Sequence, residues 1–541
     1  MNRFVLGLRP GGVLKRHRFL LVSVLVLSCK LVLVWSGFSE TAIIQDDAYY
    51  YFTIARNIAL GAGPTFDGVA PTNGFHPLWL LFLVPLFWMA PTSMWSPIRV
   101  ALSLNVLFDA LSGLLLFRLL DRWVDRRAAW LGALIWLCAP TNAAMAFFGM
   151  EGSLVALLLL AFLQVNLDRQ WMQRAPKQHA AATGFLWGMC GLARTDQILL
   201  CACVLIAVVL RLPARWGQRL RRLVLVGSTA AIVLTPWFAW NQRTFGTLEQ
   251  VSGRIKRHSS VLWGALPHDG SSPNAAIKTA VTRLFAPVVV VLRSLSVDYE
   301  MKARWTPWLL ALWLVPGSWL AALGARRLQA RGATDLLSVG VVYILAHVVV
   351  YGVVLGFYAP WYAAPVSALS AMFVGAGVTS GFRSVRGNRL LVTLLPLLGV
   401  QIGLVLINVQ AQPHHRRGAE YRWRAQFDHA LELFPKGLRI GLFDAGAAGY
   451  VAGWYPLITV VNLDGMVNNA AVAAIDAGRY PEYLIEHVDL FLQSPRRLRM
   501  FLDDEEFERC MRILELRQVP TPLPSHDGEV QNSSPPVERL K

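Results

Sequence analysis

The sequence predicts a polytopic α-helical membrane protein that ends in a small α/β domain. Three observations predict this. First, 55% of the 541 residues are hydrophobic and only 16% are charged, with a mean hydropathy of +0.45, which excludes a soluble globular enzyme. Second, Lys and Arg collect in short runs between apolar stretches: Lys15-Arg16-His17-Arg18, Arg122 to Arg127, Arg211 to Arg222, Arg326 to Arg331 and Arg383 to Arg389. The net charge of +18 then marks cytoplasmic loops rather than a nucleic-acid surface. Third, beyond residue 436 short strand-like runs alternate with helical ones.

In chain order, a basic N-terminus leads into an apolar stretch from Phe19 to Val34 without an evident small-residue cleavage site, so it is read as a retained first helix. Further candidate spans are 99–120, 128–148, 151–167, 181–194, 196–211, 223–241, 305–323, 336–356, 360–380 and 390–408, the first running 19–37. A shorter apolar run covers 78–90. With every basic loop inside, residues 38–77 and 121–127 fall on opposite sides, yet two apolar runs separate them. Either 78–90 enters without crossing or the charge rule fails at 121–127. About 11 to 13 transmembrane helices are expected on length grounds. Parity downstream puts 242–304 and everything after about 409 outside, with the N-terminus cytoplasmic.

In the tail, Leu438 to Phe443, Leu457 to Leu463 and Val488 to Leu492 read as strands, with helix-like stretches at 468–477 and 501–515. Alternation of this kind predicts a small parallel sheet. A proline-rich segment from Pro520 reads as disordered. The expected division is a membrane domain over 1–408 with outer loops 38–77 and 242–304, an extracytoplasmic α/β domain over 409–519, and a disordered end over 520–541. Six cysteines lack both metal spacing and a disulfide framework.

Asp46 and Asp47 lie just past the first helix, at the start of an amphipathic segment in which Asp47, Tyr51, Ile54 and Ile58 share one face. Taken alone, the pair reads as an N-cap and a first-turn acid. The loop then continues through Gly61, Gly63 and Gly68 and returns to the membrane at Asn73-Gly74-Phe75-His76-Pro77-Leu78-Trp79, more than a simple joint requires. Glu151 opens a helix and has the same bland reading as an N-terminal acid. Arg194 and Asp196, two residues apart, would not face each other on a helix. Tyr358, Trp361 and Tyr362 flank Pro360 and read first as interfacial anchors, second as sugar-stacking groups. The glycine-rich turn Asp444 to Gly449 invites a dinucleotide reading, rejected because Gly-x-Gly spacing is missing.

This loop resembles the first outer loop of the GT-C superfamily of membrane glycosyltransferases, of the bacterial protein-mannosyltransferase and mycobacterial arabinofuranosyltransferase types. Gly149-Met150-Glu151-Gly152, Arg194-Thr195-Asp196, the stretch from Asn241 to Lys256, Asp444-Ala445-Gly446 and Asn462-Leu463-Asp464-Gly465 resemble further elements in the same order. The resemblance implies transfer of a sugar from a polyprenyl-phosphate donor to a glycan, lipid or protein acceptor, at the outer face of a bacterial inner membrane. It assigns the general base to Asp46 or Asp47 and the phosphate's cationic partner to Arg254, Lys256 or Arg257. It extends substrate contact to Tyr50, Arg56, Asn73, His76, Glu151, Arg194, Asp196, Tyr358 and Tyr362. No metal ligands or cofactor are assigned, and a divalent cation is left open, since superfamily members differ on this point. Membrane lipids, not nucleic acid, are the expected surroundings.

A transporter or lipid-linked sugar flippase is the alternative. It is disfavoured because the spans 128–148, 223–240, 360–380 and 390–408 carry no Asp, Glu, Lys or Arg, and transport sites place ionisable groups near the midplane.

Overall fold

Apolar segments that must bury against lipid or one another form helices through most of the chain. The computed structural model describes residues 11–36, 44–138, 142, 145–260, 306–354, 359–381, 419–491, 502 and 504–515. The helices are α1 (Gly11–Trp35), α2 (Asp46–Ala59), α3 (Pro77–Met89), α4 (Ser96–Trp123), α5 (Arg126–Cys138), α6 (Gly152–Asn166), α7 (Arg169–Arg174), α8 (Pro176–Ala193), α9 (Gln197–Leu210), α10 (Trp216–Phe245), α11 (Val251–Ser260), α12 (Thr306–Ala330), α13 (Thr334–Val349) and α14 (Ala364–Gly381). Among the described residues, four helices are long and apolar enough to cross a membrane: Ser96–Trp123, Trp216–Phe245, Thr334–Gly352 and Trp361–Ser380. Shorter apolar helices run Phe19–Trp35, Pro77–Met89, Gly152–Asn166 and Gln197–Leu210. The protein is a multi-pass membrane protein. The expected span at 390–408 and most of the 242–304 loop lie outside the described residues.

Helix α3 bears on the parity conflict. It has 13 residues, about 20 Å at helical rise, against a hydrocarbon core of about 30 Å. Leu81, Trp88 and Met89 on it are exposed. Its length supports the reading in which this run does not cross.

The bundle packs chiefly through α12 with α14, α8 with α10, and α5 with α14. Small residues allow these contacts, because lipid offers little drive for association and backbones must come close. A Cβ on Gly324 would collide with the Phe373 carbonyl, and one on Gly377 with the Leu320 carbonyl. Lys30 of α1 and Asp109 of α4, both buried, pair at 2.5 Å.

The tail comprises α15 (Ala419–Leu433), β1 (Leu438–Leu442), α16 (Gly446–Ala452), β2 (Ile458–Asn462), α17 (Asn469–Asp476), α18 (Tyr480–His487), β3 (Leu490–Phe491) and α19 (Asp504–Glu515). The three strands form a parallel sheet in the order β2-β1-β3, with Ile440 beside Val460 and Leu490. All three predicted strands are present. Asp444 follows β1 and Asp464 follows β2, so both carboxylates leave the C-terminal edge of the sheet, where open α/β sheets bind ligands.

Candidate active site

Helix α2 carries the site on its first turn. The expectation that Asp46 caps this helix is not met: the N-cap is Gln45, without a side-chain bond, and Asp46 is already helical. Its carboxylate reaches the tail instead. Oδ2 accepts the Gly446 N–H and Oδ1 the Ala447 N–H, each at 2.9 Å. The residue at 446 must be glycine, since a Cβ there would strike the Asp46 carbonyl. One turn along, the buried Tyr50 hydroxyl accepts from the Ala445 N–H at 3.0 Å and from Asn462 Nδ2 at 3.1 Å, and donates to Asp464 Oδ2 at 3.4 Å. Asp464 in turn accepts the Asp444 N–H at 2.9 Å. Asp444 sits at φ 46°, a left-handed conformation that non-glycine residues seldom hold.

Asp47 differs. It is half-buried, and no described residue donates a hydrogen bond to it. Burial pushes its carboxyl up to about 6, opposed by the Lys256 charge and reinforced by Asp464, Asp444 and Glu151. Burial pushes Asp46 up to about 7, against the two amide bonds that favour its charged form. Lys256, on α11, donates to the Tyr362 hydroxyl at 2.8 Å. Burial works against its charge, but Tyr362 and Asp47 outweigh it and hold its pKa above the ordinary value.

Behind this rim lies a hub around Arg194. The guanidinium donates from Nη1 to Glu151 Oε1 at 2.6 Å, from Nε to Asp196 Oδ1 at 3.0 Å and from Nη2 to the Tyr351 hydroxyl at 2.9 Å. It also stacks 4.0 Å over the Tyr362 ring. The helical-spacing argument against an Arg194–Asp196 pair fails because Arg194 is not helical: it ends α8 in an extended conformation, φ −158° and ψ 128°. His76 Nε2 lies 4.0 Å from Glu151 Oε1, and its Nδ1 is 3.4 Å from Gln250 Nε2. Burial pushes His76 down to about 4, which leaves it neutral near pH 7.

No family model matches the chain, and no curated protein matches it in sequence. Solved structures do match in fold. An archaeal oligosaccharyltransferase, AglB from Archaeoglobus fulgidus, in complex with an inhibitory peptide and a dolichol-phosphate, aligns over 90% of this chain and 70% of its own, with a TM-score of 0.56 at 15% identity. ArnT from Cupriavidus metallidurans, bound to undecaprenyl phosphate, aligns over 92% and 89%, with a TM-score of 0.50 at 16% identity. The chain has the GT-C fold.

Within this GT-C fold the predicted residues separate into groups. Asp47, Glu151, Arg194, Asp196, His76, Lys256 and Tyr362 converge. Tyr362 is buried between two cations, which replaces the interfacial-anchor reading. Asp46 and Tyr50 are held by the tail. Asn73 is buried and structural: Nδ2 donates to the Glu249 carbonyl at 3.0 Å, and Oδ1 accepts from the Val251 N–H at 3.0 Å and Asn469 Nδ2 at 3.1 Å. Arg56 stacks 4.2 Å over Trp454 of the tail. Arg254 is nearly half-exposed and pairs with Asp476 on α17, in the tail. Tyr358 and the Arg257 side chain lie outside the described residues.

Sequence reasoning missed Gln250 and Tyr351 as members of the hub, and Asp444 and Asp464 as members of the rim. The two aspartates sat in quoted motifs, so a signal existed, whereas nothing local marks Gln250. Among the described residues no group of three or more His, Cys, Asp or Glu is arranged to hold a metal ion.

Proposed function

We propose that the chain is a membrane glycosyltransferase that moves a sugar from a polyprenyl phosphate to an acceptor hydroxyl, at the outer face of a bacterial inner membrane. One observation carries the reading. In a GT-C fold, the carboxylate of Asp47 is largely buried, accepts no hydrogen bond from a described residue, and shares its field with Lys256. The two solved relatives bind dolichol-phosphate and undecaprenyl phosphate, which supports a lipid-phosphate donor here.

In the proposed reaction the acceptor oxygen attacks the anomeric carbon and the carbon–oxygen bond to phosphate breaks. Asp47 takes the hydroxyl proton, a task suited to a carboxyl raised toward neutrality. Its negative charge also favours an oxocarbenium-like transition state. Lys256 is the cationic partner of the departing phosphate. Arg194 reinforces that positive side while its own charge is answered by Glu151 and Asp196. The tail walls the outer side of the site and limits water.

The test is incubation of purified protein with a panel of polyprenyl-phosphate sugars, reading sugar release or transfer. Activity on at least one donor, lost in Asp47→Asn, is the expected result. Inactivity on every donor, with the fold intact, would overturn it. Orientation is tested separately. A membrane-impermeant thiol reagent on intact cells is expected to label Leu457→Cys, in the exposed part of the tail, and not Ala330→Cys, at the exposed end of α12.

A further inference from the structure

The two adjacent aspartates start from equivalent sequence contexts and end in different surroundings. Asp46 spends both carboxylate oxygens on the Gly446 and Ala447 amides. These amides belong to the turn between β1 and α16, which also carries Asp444. The same turn is held from the next helical position by Tyr50, through the Ala445 N–H and Asp464. Packing leaves little slack: Gly446 lies against the Asp46 backbone and Gly449 against the Phe66 ring. Asp47, one residue on, has none of these ties.

We propose that Asp46 is a positioning residue: its carboxylate seats the 444–447 turn of the tail over the site, while Asp47 alone meets the reacting acceptor. The inference rests on the glycosyltransferase reading above and divides the labour of the aspartate pair. A donor with a long lipid chain must enter from the membrane side, whereas the tail turn borders the water-facing side. Loss of the seat therefore acts on acceptor binding. A loose wall lowers the acceptor's occupancy beside Asp47 and leaves the geometry of the bound acceptor intact, so the loss is read in the acceptor KM.

The experiment uses the full chain in lipid nanodiscs, with amide hydrogen exchange across 443–450 and transfer kinetics in parallel. Asp46→Ala is expected to raise exchange at 446 and 447 about tenfold or more, since local opening is set by such contacts. It is also expected to raise the acceptor KM about tenfold with kcat and donor KM little changed. Asp46→Asn should partly rescue both, because its single carbonyl oxygen still accepts one amide. Gly446→Ala, made from the tail side, should reproduce the Asp46→Ala pattern. Asp47→Asn should leave exchange unchanged while removing kcat. Unchanged exchange in both Asp46→Ala and Gly446→Ala would overturn the inference, as would a loss of kcat in Asp46→Ala with the amides still protected, which would make Asp46 the base. Full transfer by Asp47→Asn would overturn the parent reading instead, and the exchange data would still judge the role of Asp46.

Discussion

The rim around Asp46 and Asp47 and the hub around Arg194 handle charge in opposite ways. In the hub, a buried guanidinium is answered by two carboxylates, a tyrosine hydroxyl and an aromatic face. At the rim, the carboxylates are answered mainly by backbone amides and hydroxyls, and two of them are pushed to about 7 and about 6. A buried charge with matched partners is costly to disturb and poor at changing state. A carboxyl whose ionised form is under-compensated exchanges protons near neutrality. On the proposed function, the difference gives mainly framework to the hub and chemistry to the rim.

Breaking the rim should cost activity and spare the fold. Asp47→Asn is expected to lower kcat by about 100- to 10,000-fold, the usual span for a lost general base, with thermal stability near that of the parent. Full retention of transfer would erase the distinction between the two regions. Breaking the hub should cost the fold as well. Arg194→Ala leaves Glu151 and Asp196 facing each other without their cation, and is expected to cost about 3–5 kcal/mol of stability, read by thermal or denaturant unfolding in detergent. An unfolding midpoint like the parent's would show that the hub is not framework.

The pH profile sharpens the contrast. Asp47 must be ionised to act as base, so kcat/KM should be level above its pKa and fall about tenfold per pH unit below about 6. His76, pushed to about 4, is neutral throughout that range and adds no limb.

Smaller effects are expected where the regions touch and at their edge. Tyr362→Phe removes the hydroxyl that Lys256 donates to and keeps the ring beneath Arg194. It should raise the donor KM about tenfold, the size of one charged hydrogen bond, with stability nearly unchanged. Arg254→Ala breaks an exposed ion pair with Asp476 and should cost no more than about 1 kcal/mol without altering donor affinity. A large donor effect there would move the phosphate's partner from Lys256 to Arg254.

Much of the fold was legible. The three tail strands, α2, and the short return helix at 77 each have a local signature: a β-rich run, an apolar face at helical spacing, a proline at a helix start. The loop carrying the aspartate pair was legible as a candidate for the same reason, since its residues lie together in sequence. Helices α16 and α18, seven and eight residues long, went unread, as did the fifteen-residue α15. The Arg194–Asp196 pair was misjudged because the spacing rule presumed a helix where the chain is extended.

The sequence by itself determined the membrane class, the parallel tail and the identity of most charged groups at the site. These depend on composition and on contacts within a few residues, which hydropathy and backbone periodicity report directly. Only the tertiary structure decided which aspartate is tied to the tail amides and which is not. Two identical neighbours on one helix turn present the same local chemistry, and they part only when a turn some 400 residues away brings its amides to one of them. Tertiary structure likewise decided that Arg254 pairs with Asp476 and Lys256 with Tyr362, because their partners come from distant segments. Charge on a side chain is a local property, but compensation of that charge depends on what the fold packs against it.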